Sequence, residues 1–193
     1  IFMLTQQDVT VPNAIEIFKE IKDTGVKLIG FKDVGLPKEE LLKLIKLMKK
    51  GKMKTFIEVV SNSEEENLRS AKTAIELGVD YLIGGTYVKQ TLPTIRGTGI
   101  KYFPYIGKII GHPCLLRGTI EEIVEDGRRV EKMGVDGINL LGYRYDGDVV
   151  KLIRSVKEAV KIPLIVAGSI NSFERVHEMT KLDIWAFTIG AAI

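Results

Sequence analysis

Apolar positions along the chain follow two periods, and the switches between them mark out its elements. Short runs rich in β-branched and aromatic residues predict strands. They cover Phe2 to Thr5, Lys27 to Phe31, Thr55 to Val60, Tyr81 to Ile83, Lys101 to Phe103, Gly137 to Leu141, Pro163 to Ala167 and Ile184 to Ile189. Elsewhere the apolar residues recur at helical spacing. Pro12 to Thr24 carries Ile15, Phe18 and Ile21 on one face and stops at Gly25, as a glycine just past a helix should. Pro37 opens a leucine-rich helix that runs to Lys50 and stops at Gly51. Ser63 with Glu66, and Thr119 with Glu122, have the spacing of a capping box. Ser172 precedes a last helix with Phe173, Val176 and Met179 on one side and Glu174, Arg175 and Glu178 on the other.

Strand and helix alternate from end to end, which predicts an α/β fold with parallel strands. The strands number eight, and eight βα units closing on themselves make a (β/α)₈ TIM barrel, expected as one domain over residues 1–193. The stretches 24–30, 77–85 and 133–142 share a Gly-Val junction into a strand, about two βα units apart. Any helix-glycine-strand junction would leave the same mark. The segment from Tyr105 to Gly118 is longer than most βα loops, and long ordered loops are usually functional. It is expected either to close over ligand as a lid or to seal the mouth with Ile109, Ile110, Leu115 and Leu116. An oligomer contact would use the same apolar side chains. The chain begins at Ile1 and stops at strand eight, so a longer natural protein is expected.

At 193 residues and 45% hydrophobic, the chain can bury one large core. Its formal charge of +3 is too small to argue for nucleic acid. The lysines at 38, 43, 46, 49, 50, 52 and 54 form a basic run, but no aromatic residue interleaves them as a stacking platform would need. The single cysteine, Cys114, excludes an internal disulfide framework and fits a reducing compartment. No apolar run has transmembrane length and no signal peptide is present, so a cytoplasmic location is expected. Charged residues make up 27%, heavy in Lys and Glu, a thermophile-like balance.

Active sites of this architecture lie at the carboxyl ends of the strands. Those positions hold Asp8, Lys32 with Asp33, Glu58, Tyr105, Asn139, and Tyr143 with Arg144. Lys32 and Glu58 stand on otherwise apolar runs and are expected to face inward with their alternate neighbours Gly30 and Phe56. A lone charge in a barrel core costs several kcal/mol, so such groups are paired or used. Pairing is expected to move their pKa values toward neutrality, as acid–base work requires. Lys32 suits a Schiff-base nucleophile, a general acid or a clamp on a carboxylate, with a purely structural Lys32–Glu58 ion pair as the competing account. Asp8 is either catalytic or a cap on the following turn. Lys108 and His112 lie in the long loop, where they could close over a substrate. His112 and His177 lie far apart with no cysteine cluster, so no metal site is expected. No cofactor is expected either, with a carboxylate-held divalent ion as the alternative.

Small residues at the ends of consecutive strands let a backbone approach a ligand and aim N–H groups at it. The last two strands end in AGSI, with Gly168 and Ser169, and in FTIGAAI, with Gly190 and Ala191. In an eight-stranded barrel these turns form the usual phosphate site. The pair resembles the phosphate-binding half of the ribulose-phosphate-binding barrels, the superfamily of indole-glycerol-phosphate synthase, the histidine-pathway barrels and thiamin phosphate synthase. AGSI has one glycine where many relatives have two. The resemblance implies a small phosphorylated, sugar-phosphate-like ligand and an isomerase, lyase or synthase. The Schiff-base lysine of the class I aldolases of this fold usually comes from strand six, where this chain has Asn139. The Asp-x-Lys-x-x-Asp arrangement of the orotidine-phosphate decarboxylase group is absent as well. Proton transfer next to a carbonyl fits better, with Lys32, Glu58 and Asp8 catalytic and Asn139, Lys108, His112, Tyr143 and Arg144 binding substrate. The alternatives are a regulatory barrel resembling the glycerol-3-phosphate-responsive antiterminator, which binds RNA, and a barrel for phosphorylated flavin. A small phosphorylated ligand is the expected partner, without membrane or nucleic acid, and a homo-oligomer is a further option.

Overall fold

A computed structural model describes residues 1–190, and in it the two periods resolve into parallel strands and outer helices. Strands β1 (Phe2–Met3), β2 (Leu28–Lys32), β3 (Lys54–Val59), β4 (Tyr81–Gly84) and β5 (Lys101–Phe103) pair in that order, all parallel. Strands β6 (Ile138–Leu140), β7 (Leu164–Val166) and β8 (Ala186–Phe187) form a second parallel set. Parallel bridges from Phe2 to Ile189 and from Tyr105 to Asn139 join the two sets. At these seams the Met3 N–H donates to the Ile189 carbonyl at 2.7 Å and the Asn139 N–H to the Pro104 carbonyl at 2.9 Å. The circuit of strands closes, which is how a TIM barrel removes its sheet edges.

Around the strands run α1 (Ala14–Ile21), α2 (Lys38–Lys50), α3 (Glu64–Leu77), α4 (Val88–Ile95), α5 (Ile120–Lys132), α6 (Val149–Ala159) and α7 (Phe173–Lys181). Thr119 and Glu122 make both halves of the expected capping box. At Ser63 only one half forms. Its hydroxyl accepts the Glu66 N–H at 3.3 Å, while the Glu66 carboxylate takes the hydroxyl proton rather than a backbone one. Among the described residues no helix is long and apolar enough to cross a membrane.

The core has two parts. Outside the strands, residues such as Leu44, Met48, Ile57 and Leu82 pack between sheet and helices. Inside, Phe56, Ile83, Phe103 and Ile165 fill the lower half of the barrel. Phe56 stacks on Tyr81 with centroids 4.3 Å apart, and Trp185 lies 5.3 Å from Phe103. One helix departs from the expected pattern. Phe173, placed by its spacing on the apolar face of α7, is 91% exposed, while Met179 is buried. As the first helical residue it lies at the mouth end, beyond the core that Val176 and Met179 join.

Two hairpins shape that mouth. Strand one was expected to reach Thr5, but it ends at Met3, and Thr5–Gln6 turns back to pair antiparallel with Val9–Thr10. The two turn residues, Gln7 and Asp8, have φ of 49° and 62°, left-handed values that two-residue hairpins demand and that non-glycine residues adopt at a cost. The long loop after β5 is also a hairpin, Lys108–Ile110 against Leu115–Arg117. Cys114 and Leu116 are buried in the core, whereas Ile109 and Leu115 are half-buried and Ile110 is exposed.

Candidate functional site

Strands β2 and β3 pair with Lys32 directly opposite Glu58, so the side-chain alternation that turns Gly30 and Phe56 inward turns these two inward as well. Lys32 is 5% exposed, and its ammonium lies 2.6 Å from Asp8 Oδ1 and 3.4 Å from Glu58 Oε2. Thr10 fixes the end of β2 by donating to the Lys32 carbonyl and accepting its N–H, both at 2.8 Å. The chain after β6 tightens into a single 3₁₀ turn, Gly142–Arg144, that delivers Arg144 to the same place. Its guanidinium forks onto Asp8, Nη1 to Oδ2 at 2.7 Å and Nη2 to Oδ1 at 2.8 Å, and Nη1 also reaches the Cys114 carbonyl at 3.2 Å. Glu58 Oε1 accepts the Tyr105 hydroxyl at 2.8 Å and the Asn139 amide at 3.3 Å. Asn139 Oδ1 is buried with no partner among the described residues.

Asp8, Lys32, Glu58, Tyr105 and Arg144 line a cavity of about 540 Å³. The ends of β7 and β8 line it too, with Gly168, Ser169, Thr188 and Gly190. Gly168 and Ser169 have φ of 85° and 54°, so the chain turns sharply there. Arg175, in the first turn of α7, donates to the Ser169 carbonyl and to Asn171 Oδ1, the latter at 3.1 Å. Its guanidinium also lies 4.7 Å over the Tyr143 ring.

Two cations and two carboxylates share this small space, and their partners set their ionisation. Burial alone would raise the Asp8 pKa, but Arg144 and Lys32 outweigh it and hold the carboxyl well below the usual range. Burial would lower the Lys32 pKa, but Glu58 and Asp8 raise it above its ordinary value. Burial and the Glu58 carboxylate push the Tyr105 phenol well up. This corrects the expectation that pairing moves the lysine toward neutrality. With two anions against it Lys32 is a fixed ammonium, suited to an oxyanion or to donating a proton and not to attack as a free amine.

Asp8, Lys32, Glu58, Asn139 and Arg144 thus come together, and Gly168, Ser169 and Gly190 line the same cavity. Ala191 lies outside the described residues. Lys108 faces a separate cleft with Arg117, Asp126 and Arg129, and His112 is exposed at the hairpin turn. Tyr143 turns toward α7, where its hydroxyl bonds Glu178. Sequence reasoning missed Thr10 and the Arg175 clamp. Arg175 sits three residues after the Ser172 cap, so an arginine in the first turn of a helix behind a small-residue loop was the available signal. No group of three or more His, Cys, Asp or Glu among the described residues is placed to hold a metal ion.

No protein-family model matches the chain. Solved structures of the same fold do. The N-acetylmannosamine-6-phosphate 2-epimerase of Clostridium perfringens superposes with a TM-score of 0.72 at 16% identity, covering 100% of this chain and 86% of that one. Orotidine 5′-phosphate decarboxylase of Pyrococcus horikoshii gives 0.69 at 16% identity, covering 100% and 90%. The glycerol uptake operon antiterminator regulatory protein of Listeria monocytogenes gives 0.66 at 15% identity, covering 97% and 92%. These neighbours share with this chain the eight-stranded parallel α/β barrel. At such identities the likeness is one of fold alone.

Proposed function

We propose that the barrel mouth binds a small phosphorylated, sugar-phosphate-like metabolite and catalyses proton transfer next to its carbonyl, in an isomerase, lyase or synthase reaction. The observation that carries this reading is the Lys32 ammonium, buried between Asp8 and Glu58 and facing a 540 Å³ cavity. The same cavity is lined by the small-residue turns at Gly168, Ser169 and Gly190. In this reading those turns hold the phosphate by backbone N–H groups. Lys32 stabilises the oxyanion that forms as a proton leaves the adjacent carbon, and one of the two carboxylates beside it, Glu58 or Asp8, supplies the base. Tyr105 and Asn139 orient Glu58 through their hydrogen bonds. Lys108, His112 and Tyr143 have no part in it.

The test is exchange of the carbon-bound proton for deuterium, followed by NMR across a panel of phosphorylated aldoses and ketoses. Lys32→Ala and Glu58→Gln should each lose about 100-fold or more in exchange rate while still binding the phosphorylated compound. Unchanged exchange in both variants would overturn the reading. The RNA-binding alternative has less support, because no aromatic residue interleaves the basic run and three of its seven lysines are paired with carboxylates. Lys38 pairs with Glu76, Lys43 with Glu40 and Lys54 with Asp80.

A further inference from the structure

Asp8 is costly to place. Its backbone and that of Gln7 are both left-handed without being glycine, and its side chain is only 4% exposed. Both carboxylate oxygens are taken: Oδ1 by Lys32 and Arg144, Oδ2 by Arg144. Strain kept at a site needs a reason, and a base saturated by two cations is a poor proton acceptor.

Arg144 shows what the placement achieves. Asp8 occupies one end of the guanidinium fork, and among the described residues the Nε–H edge has no acceptor. That edge runs over the small-residue turn. A Cβ on Gly168 would stand 2.8 Å from Arg144 Cγ and 3.4 Å from Nε. An anion seated on the Gly168–Ser169 turn therefore lies beside the guanidinium edge. The carboxylate oxygen that accepts from Arg144 Nη2 at 2.8 Å also holds the Lys32 ammonium, at 2.6 Å.

We infer that Asp8 is a positioning residue that presets Arg144 for the ligand's phosphate and Lys32 for its carbonyl, leaving Glu58 as the proton acceptor. One carboxylate thereby fixes how the two cations stand to each other, and with them the phosphate and the carbonyl, which is where a near-attack geometry is set. The groups facing Asp8 agree with this role. Lys32 comes from β2, Arg144 from the turn after β6, and Cys114 from the long hairpin, with Glu58 beyond Lys32. The inference rests on the phosphate reading above and refines which residue does what within it.

Inorganic phosphate is the probe, titrated by calorimetry into the wild type, Asp8→Glu, Arg144→Met and the double variant. Asp8→Glu keeps the charge and the basicity but moves the carboxylate by one methylene. A positioning role predicts phosphate binding about ten-fold weaker in Asp8→Glu and at least as weak in Arg144→Met, with no further loss in the double variant. Wild-type affinity in Asp8→Glu, or an equal loss with and without Arg144, would overturn the inference. In the wild type alone, the Arg144 Nε–H resonance should shift and exchange more slowly when phosphate is added, and an unmoved resonance at saturation would overturn it as well. Absence of phosphate binding by the wild type is a different outcome, which removes the proposed phosphate site and the inference with it.

Discussion

The upper and lower halves of the barrel interior are built by the same strands and are held together by opposite physics. On β2 and β3, Gly30 pairs with Phe56, and two residues further along Lys32 pairs with Glu58. The lower level is apolar, with Phe56, Ile83, Phe103 and Ile165 clustered, Tyr81 stacked on Phe56 and Trp185 tilted against both. The upper level buries charges around a cavity. Both are inaccessible, so burial by itself does not say what a position is for. The lower side chains gain free energy by leaving water, whereas the upper ones lose it and persist only because each charge has a partner. Stability should therefore sit below and ligand binding above.

Truncation at the lower level is the severest way to probe that division. Phe56→Ala should cost about 3–5 kcal/mol in urea denaturation while the folded fraction binds phosphate as the wild type does. Weaker binding with full stability would break the comparison. At the upper level Gly168→Val should do the reverse. A side chain there meets both the left-handed φ of 85° and the Arg144 stem, so phosphate binding should fall about ten-fold or more while stability drops by about 1–2 kcal/mol.

Acid sharpens the contrast further. The folded Asp8 pKa is depressed, so its contribution is complete above the unfolded value of about 3.9 and drains away as pH falls toward the folded one. Relative to Asp8→Asn, the wild type should lose about 1 kcal/mol of stability between pH 6 and pH 3. Lys32 has a raised pKa, so its contribution is intact at neutral pH and is lost only above the ordinary lysine value of about 10.4. The smallest effect belongs to a residue in neither level. Phe173→Ser should change the unfolding free energy by no more than about 0.5 kcal/mol, because that ring is 91% exposed; a larger loss would mean that the ring is covered.

The eight strands were legible because each is a short apolar run bounded by turn residues, and Lys32 and Glu58 were legible because charges in such runs have nowhere neutral to go. The hairpin that carries Asp8 was not. A two-residue turn usually announces itself with Asn-Gly or Asp-Gly, and Gln7-Asp8 has no glycine. Helix α4 was hidden by Pro93 in its interior, whereas α6, with its Asp148 cap and amphipathic run, had a clear signal that went unread. The bond from Arg144 to Asp8 spans 136 residues and follows from barrel closure, which no local pattern encodes. Local pattern also misplaced Phe173, because helical spacing gives the face but not how far along the helix the core extends.

A crystal structure at saturating sulfate tests the central claim most directly. The account predicts density for the anion on the Gly168–Ser169 turn, within hydrogen-bond distance of the Ser169 N–H and the Arg144 Nε–H. The same turn filled only by protein side chains, with the sulfate elsewhere, would contradict it.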